Sequence, residues 1–311
     1  MQTREVLIPG GAVTLAGTLS LPQGAGPFPT CLLVHGTGPL DRDENMPGQS
    51  LDIFNRIAEH LAGHGVAALR YDKRGCGKST GDYYRSGHHD LVDDAIHAVD
   101  FLAMQPECDP DRIFALGHSE GTVIVPQLSA QRPSLRGMVL LCPFMERVEA
   151  ILKAQARHME EAIVGLRQPR RAIMRLLLGG GRSIPAAQQR LIARLKSSDA
   201  PCMRIAFQKV AAKSLRELMA LEPEALFRAA RCPMLAISGA KDLQCAPEDA
   251  QRIAAVAQVP VEAHCVPDLT HLLRRTGGKH TFFEYGKLMK GPVDAEVLAL
   301  ISGWIERQLQ V

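Results

Sequence analysis

Short, wholly apolar runs and longer runs with three-and-four spacing alternate along most of this chain. Glu5–Ile8 and Val13–Leu19 flank Pro9-Gly10-Gly11 and predict a β-hairpin. Cys31-Leu32-Leu33-Val34 is a continuous apolar run of the kind that fills a central parallel strand. Val66–Tyr71, Arg112–Leu116, Gly137–Cys142, Pro233–Gly239 and Val261–Val266 read as further strands. Helical spacing lies between them. Apolar residues at 51, 53, 54, 57 and 61 predict a helix that Gly63 and Gly65 end. A second helix is expected from about Glu120 to Ala130, kinked at Pro126 because proline removes a backbone donor. Others cover Glu248–Val256 and an amphipathic closing stretch, Asp294–Leu309.

After Phe144 the strand runs cease. Val148, Ile151, Leu152, Ala156, Met159 and Ile163 step by three and four along one helix face. Leu176-Leu177-Leu178 then runs into Gly179-Gly180-Gly181, a helix stop and candidate hinge, and helical patterns cover Ala186–Leu195 and Met203–Leu221. Residues 145–230 hold sixteen Lys/Arg against eight Asp/Glu, a net of +8 in a chain whose total is +3, which leaves −5 elsewhere. The block reads as a helical insertion, its basic residues mainly solvated helix faces and not an anion site.

Composition narrows the function classes. With 46% hydrophobic and 22% charged residues over 311 positions, an ordinary soluble globular protein is expected, one large α/β domain with an insertion or two domains. A net charge of +3 is too small to imply a nucleic-acid partner. Met1–Glu5 leads into a strand with no apolar core of a secretory signal, and no apolar run is long enough to span a membrane. The eight cysteines are scattered without a C-x-x-C pair, so reduced thiols and a cytoplasmic location are expected. No membrane partner is expected, and a homodimer is left open.

Gly117-His118-Ser119-Glu120-Gly121 carries the chemistry. It fits G-x-S-x-G between a strand run and a helical one, where a sharp turn lifts the serine Oγ clear of the sheet. Ser119 then stands at a helix N-terminus, which favours developing negative charge. His35-Gly36-Thr37-Gly38 follows the first apolar strand; it is either an ordinary strand-to-helix turn or a loop whose N–H groups face a ligand. Two other signals are set aside. Gly77-Lys78-Ser79 ends like a phosphate-binding loop, but position 72 is Asp where that motif needs Gly, and no helix pattern follows. His88-His89-Asp90 with Asp93-Asp94 could ligate a metal, but Leu91, Val92, Ile96 and Val99 make the group the polar face of a helix.

In sum of these motifs the chain resembles the α/β-hydrolase fold. The resemblance rests on His35-Gly36-Thr37-Gly38, Tyr71-Asp72-x-x-Gly75-x-Gly77-x-Ser79, Gly117-x-Ser119-x-Gly121, Gly239-x-x-Asp242 and His271. The order Ser, acid, His is that of the fold. Within it, residues 35–43 look like bacterial serine esterases with a helical cap. The resemblance implies a mostly parallel sheet with helices on both faces, a core from residues 1–144 and 231–311, and a cap over 145–230 covering the mouth of the site. It implies Ser119 as nucleophile, His271 as base, Asp242 as the acid orienting it, and the N–H groups of Thr37 and Glu120 as an oxyanion hole. Asp268 is the competing acid. His264 lies within a strand, His118 should point away from the site, and His35 should be a packing residue.

The expected activity is hydrolysis of small carboxylic esters with short-to-medium acyl chains, through an acyl-enzyme and without metal or organic cofactor. Ile151, Leu152, Ile163 and Leu177 are candidate acyl-pocket residues. Thioesterase and peptidase or amidase activity on the same fold are the alternatives, and a non-catalytic binding protein a further one. Serine at 119 argues against dehalogenase or epoxide-hydrolase chemistry, where a carboxylate attacks.

Overall fold

In a computed structural model, which describes residues 1–205 and 208–310, the apolar runs become one eight-stranded sheet. Its strands are β1 (Gln2–Gly10), β2 (Val13–Leu21), β3 (Phe28–Val34), β4 (Ala67–Tyr71), β5 (Cys108–His118) and β6 (Gly137–Leu141). After a small separate hairpin, β7 (Met203–Ile205) and β8 (Gln208–Val210), come β9 (Met234–Gly239) and β10 (Val261–Val266). The sheet order is β1-β2-β4-β3-β5-β6-β9-β10. β1 and β2 pair antiparallel, as do β2 and β4; the remaining neighbours run parallel. Strands β3, β4, β6 and β9 are apolar on both faces because helices cover both.

Helices α1 (Ile53–Gly63) and α11 (Ala295–Leu309) close one face, where Phe54, Ile57, Phe114 and Trp304 form the core. Helices α2 (His88–Ala103), α3 (Gly121–Gln131) and α9 (Asp249–Val256) close the other. Helix α3 is buried on nearly every side, and α11 starts where Asp294 accepts from the N–H groups of Glu296 and Val297. Helix α3 runs on through Pro126.

Between β6 and β9 lie α4 (Val148–Val164), α5 (Arg170–Gly179), α6 (Ile184–Lys196), α7 (Ala212–Met219) and α8 (Pro223–Arg228). Helix α10 (Tyr285–Leu288) follows β10. The helix expected over Met203–Leu221 is corrected: the hairpin occupies its first part, with Met203 opposite Val210, and only α7 is helical. Met203 and Ile205 alternate around Arg204, a pattern too short to separate from helical spacing. Ala206 and Phe207, within that span, lie outside the described residues. No described helix is long and apolar enough to cross a membrane.

Candidate active site

Strand β5 ends at His118, α3 begins at Gly121, and the chain reverses between them at Ser119 with φ 52°. A residue with a Cβ reaches this left-handed conformation at a cost of about 1–2 kcal/mol, so the surroundings must hold it. Ser119 N–H donates to Leu141 O at 3.0 Å and its carbonyl accepts from Thr122 N at 2.9 Å. The flanking glycines are sterically required. A Cβ on Gly117 would overlap the carbonyl of Gly121, and one on Gly121 the carbonyl of Val34.

The loops after β9 and β10 bring a second pair to the same sheet edge. His271 Nδ1 lies 2.8 Å from Asp242 Oδ2, and both side chains are buried. The other oxygen, Oδ1, accepts from Gln244 N and Cys245 N at 2.7 and 3.0 Å. Burial pushes the Asp242 carboxyl up, but His271 and these N–H groups prevail and hold it below its ordinary value. Asp268 is elsewhere: its half-exposed side chain pairs with Lys241 at 2.5 Å. His264 sits on β10 beside Glu262, at 2.9 Å.

Ser119 and His271 line one cavity of about 620 Å³. Gly36 and Thr37 form part of its wall, with Phe144, Phe282 and Tyr285. Helix α4 contributes Val148, Ile151, Leu152 and Gln155, and α7 contributes Leu215 and Leu218. Gly36 N–H donates to Glu44 Oε1 at 2.7 Å and Gly38 N–H to the Tyr83 hydroxyl at 3.1 Å. Among the described residues, the N–H groups of Thr37 and Glu120 have no such acceptor. Two candidate acyl-pocket residues are corrected. Ile163 packs with Ala156 and Ile184 inside the helical segment, and Leu177 is 71% exposed. Their helix faces turn to neighbouring helices and to solvent.

Two histidines differ from their sequence reading. His118 faces the cavity, its ring centroid 5.1 Å from that of His271. Its Nδ1 lies 2.7 Å from Glu44 Oε2, and its Nε2 3.0 Å from the His271 carbonyl oxygen. Burial lowers the imidazole's affinity for a proton, yet Glu44 and the carbonyl raise it above its ordinary value; Glu44 is correspondingly held down. The strained turn swings the His118 side chain toward the loop after β10. His88 is not on a solvated face. It is buried at the start of α2, 3.2 Å from Glu120 Oε1, because α2 packs against α3. Asp94 of the same helix is buried against Arg74. His35 is buried between Phe54 and Tyr71 and pushed down to about 4 by burial and Lys73.

The loop from Asp72 to Ser79 holds its own anion. The Asp72 carboxylate accepts from Arg42 N and Lys78 N, both at 2.8 Å, so the N–H of Lys78 is already engaged by a carboxylate of the loop. Among the described residues, Cys142, Asp242 and His271 bring metal-ligand atoms close together. Burial and the neighbouring Asp242 push the Cys142 thiol well above its ordinary value.

Comparison with known proteins gives the family. Esterase EstD of Thermotoga maritima is 29% identical over 294 residues, 94% of this chain and 65% of EstD. Esterase FrsA of Escherichia fergusonii is 26% identical over 160 residues, 50% of this chain and 34% of FrsA. The chain thus spans less than two thirds of the length of these relatives. Among solved structures, Est1E of Butyrivibrio proteoclasticus with ferulic acid superposes with a TM-score of 0.66 at 17% identity, covering 98% of this chain and all of that one. The α/β hydrolase GrgF of Penicillium sp. sh18 gives 0.66 at 15%, with full coverage of both chains. The proline iminopeptidase of Mycobacterium smegmatis gives 0.59 at 16%, covering 98% of each. At such identities the likeness establishes the α/β-hydrolase fold. Residues 47–275 match the hydrolase family described as serine aminopeptidase, S33, and this chain belongs to that family.

Proposed function

We propose that this protein is a serine carboxylesterase acting on small esters with short-to-medium acyl chains, with Ser119, His271 and Asp242 as its triad. The observation that carries the reading is the buried 2.8 Å pair of His271 Nδ1 and Asp242 Oδ2 opening on the cavity that Ser119 lines. Asp242 stays ionised, fixes the tautomer with Nδ1 protonated, and leaves Nε2 as the base. Ser119 Oγ attacks the ester carbonyl as His271 takes its proton. The tetrahedral oxyanion is met by the N–H groups of Thr37 and Glu120, a contribution of about 2.7–4 kcal/mol per donor. The alcohol leaves with the proton from His271, and water activated by the same imidazole releases the acid from the acyl-enzyme. Esterase-named relatives support ester hydrolysis as the reaction.

Residues 145–230 act as a cap in this reading, since α4 and α7 supply one wall of the cavity. Leu40, Met46, Leu51, Phe144 and Leu272 add apolar wall beside them, and each methylene of an acyl chain placed there contributes about 0.8 kcal/mol until the space is full. The family's description raises the aminopeptidase alternative, which requires a carboxylate to receive a substrate ammonium. Glu44 is the carboxylate among the lining residues, and its two oxygens are engaged by Gly36 N–H and His118. That favours a neutral ester. The test is kcat/KM across p-nitrophenyl esters from acetate to palmitate, beside acyl-CoAs and matched aminoacyl arylamides, with EDTA present. A short-to-medium ester optimum is expected; faster amide cleavage, a palmitate optimum or loss to the chelator would contradict it.

A further inference from the structure

Lys73 stands on the loop after β4 with 2% exposure, and a buried ammonium is costly unless it is partnered. Its Nζ donates to the carbonyl oxygen of Gly36 at 2.5 Å and lies 3.7 Å from Glu120 Oε2. The Gly36 carbonyl belongs to the same peptide unit as the Thr37 N–H. In a planar trans peptide these two groups point in opposite directions, so a cation fixed on the oxygen sets where the N–H points. Drawing electron density to that oxygen also strengthens the N–H as a donor. The rest of the loop is fastened by Glu44 at Gly36 N–H and by Tyr83 at Gly38 N–H.

The counter-charge comes from the other donor residue. Glu120 is 2% exposed, and its carboxylate meets Lys73 and His88. Burial raises its pKa, yet these partners, Lys73 foremost, bring it down to about 2. One buried ion pair therefore ties the peptide of Thr37 to the residue that carries the second proposed donor. None of the triad chemistry uses either charge.

We propose that Lys73 and the Glu120 carboxylate are positioning residues, an internal ion pair that clamps the two oxyanion-hole donors in register. The inference rests on the serine-hydrolase reading above. Its test is Lys73→Met, which keeps the side-chain volume and removes the charge. The readouts are kcat and KM on p-nitrophenyl butyrate, and inhibition by an alkyl trifluoromethyl ketone, whose serine adduct carries an oxyanion. The expected result is a roughly 10- to 100-fold fall in kcat with a parallel loss of inhibitor affinity and little change in KM, short of deleting a donor outright. Lys73→Met/Glu120→Gln leaves no unpaired buried charge and should regain the melting temperature lost by the single variant without regaining kcat. If Lys73→Met fails to fold, this double variant carries the same measurement. Near-normal kcat and inhibitor affinity in folded variants, or recovery of kcat together with stability, would overturn the proposal. With wild-type hydrolysis dependent on Ser119, that result leaves the triad standing. Full activity in Ser119→Ala overturns both.

Discussion

His271 has two acids within reach in sequence, and the geometry separates them. Asp242 receives its Nδ1 in a buried pair, whereas Asp268, three residues away along the chain, faces solvent beside Lys241. Asp242→Asn should therefore slow ester hydrolysis by up to about 10⁴-fold, since the amide stabilises the wrong tautomer. Asp268→Asn should retain most activity in the same steady-state assay; the reverse pattern would move the acid to position 268. The His118–Glu44 pair makes a prediction about pH. The raised imidazole contributes stability in full below its ordinary value of 6.5 and loses it as pH rises through the raised folded value. The lowered Glu44 contributes above its ordinary 4.5 and loses it as pH falls through the folded value. The wild type's advantage in melting temperature over Glu44→Gln should be largest between these two values and shrink as pH rises through the raised His118 value. A gap that is constant or widens with pH would contradict the charged pair. Ser119, Asp242 and His271 could be singled out in the sequence because motif spacing and chain order mark them. Glu44, His118 and Lys73 could not, because their partners are fixed only by folding: Glu44 and His118 are 74 positions apart, Lys73 and Gly36 37.

At the scale of elements, the strand–turn–helix at β5 and α3 has no room for added volume at its two glycines. Gly121→Ala places a methyl against the Val34 carbonyl, and neither backbone can move without shifting β3 or α3. It should cost at least about 1–3 kcal/mol in unfolding free energy. Activity should fall further than stability explains, because the N–H of Glu120 moves with the helix start. Chemical denaturation and kcat together check this, and a variant with wild-type stability and rate would refute the tight contact. The parallel strands and flanking helices were readable from their apolar runs and three-and-four spacing. The β7–β8 hairpin was not, since each strand holds three residues and its pairing is settled by contact across the turn.

For the molecule as a whole, the sheet gathers loops from residues 36–38, 119–120, 242–245 and 271 at one edge, and α4 and α7 of the segment after β6 line the same cavity as Ser119 and His271. Gln155 of α4 donates to the Gln244 carbonyl at 3.3 Å, and His158 meets the Leu243 carbonyl at 3.1 Å, so α4 is anchored beside Asp242. The charge contrast and loss of strand pattern marked this segment in the sequence, but not which apolar faces turn inward: Ile151 and Leu152 reach the cavity, Ile163 and Leu177 do not. That choice depends on how five helices pack together, which periodicity within one helix does not encode. The proposed esterase mechanism turns on a covalent step at one serine. Mixing the protein with p-nitrophenyl butyrate, quenching in acid and mapping the product by mass spectrometry measures it directly. One butyryl group per chain is expected on the peptide containing Ser119, with neither adduct nor turnover in Ser119→Ala. Butyrate release with the acyl group on another residue, or undiminished turnover in Ser119→Ala, would contradict it.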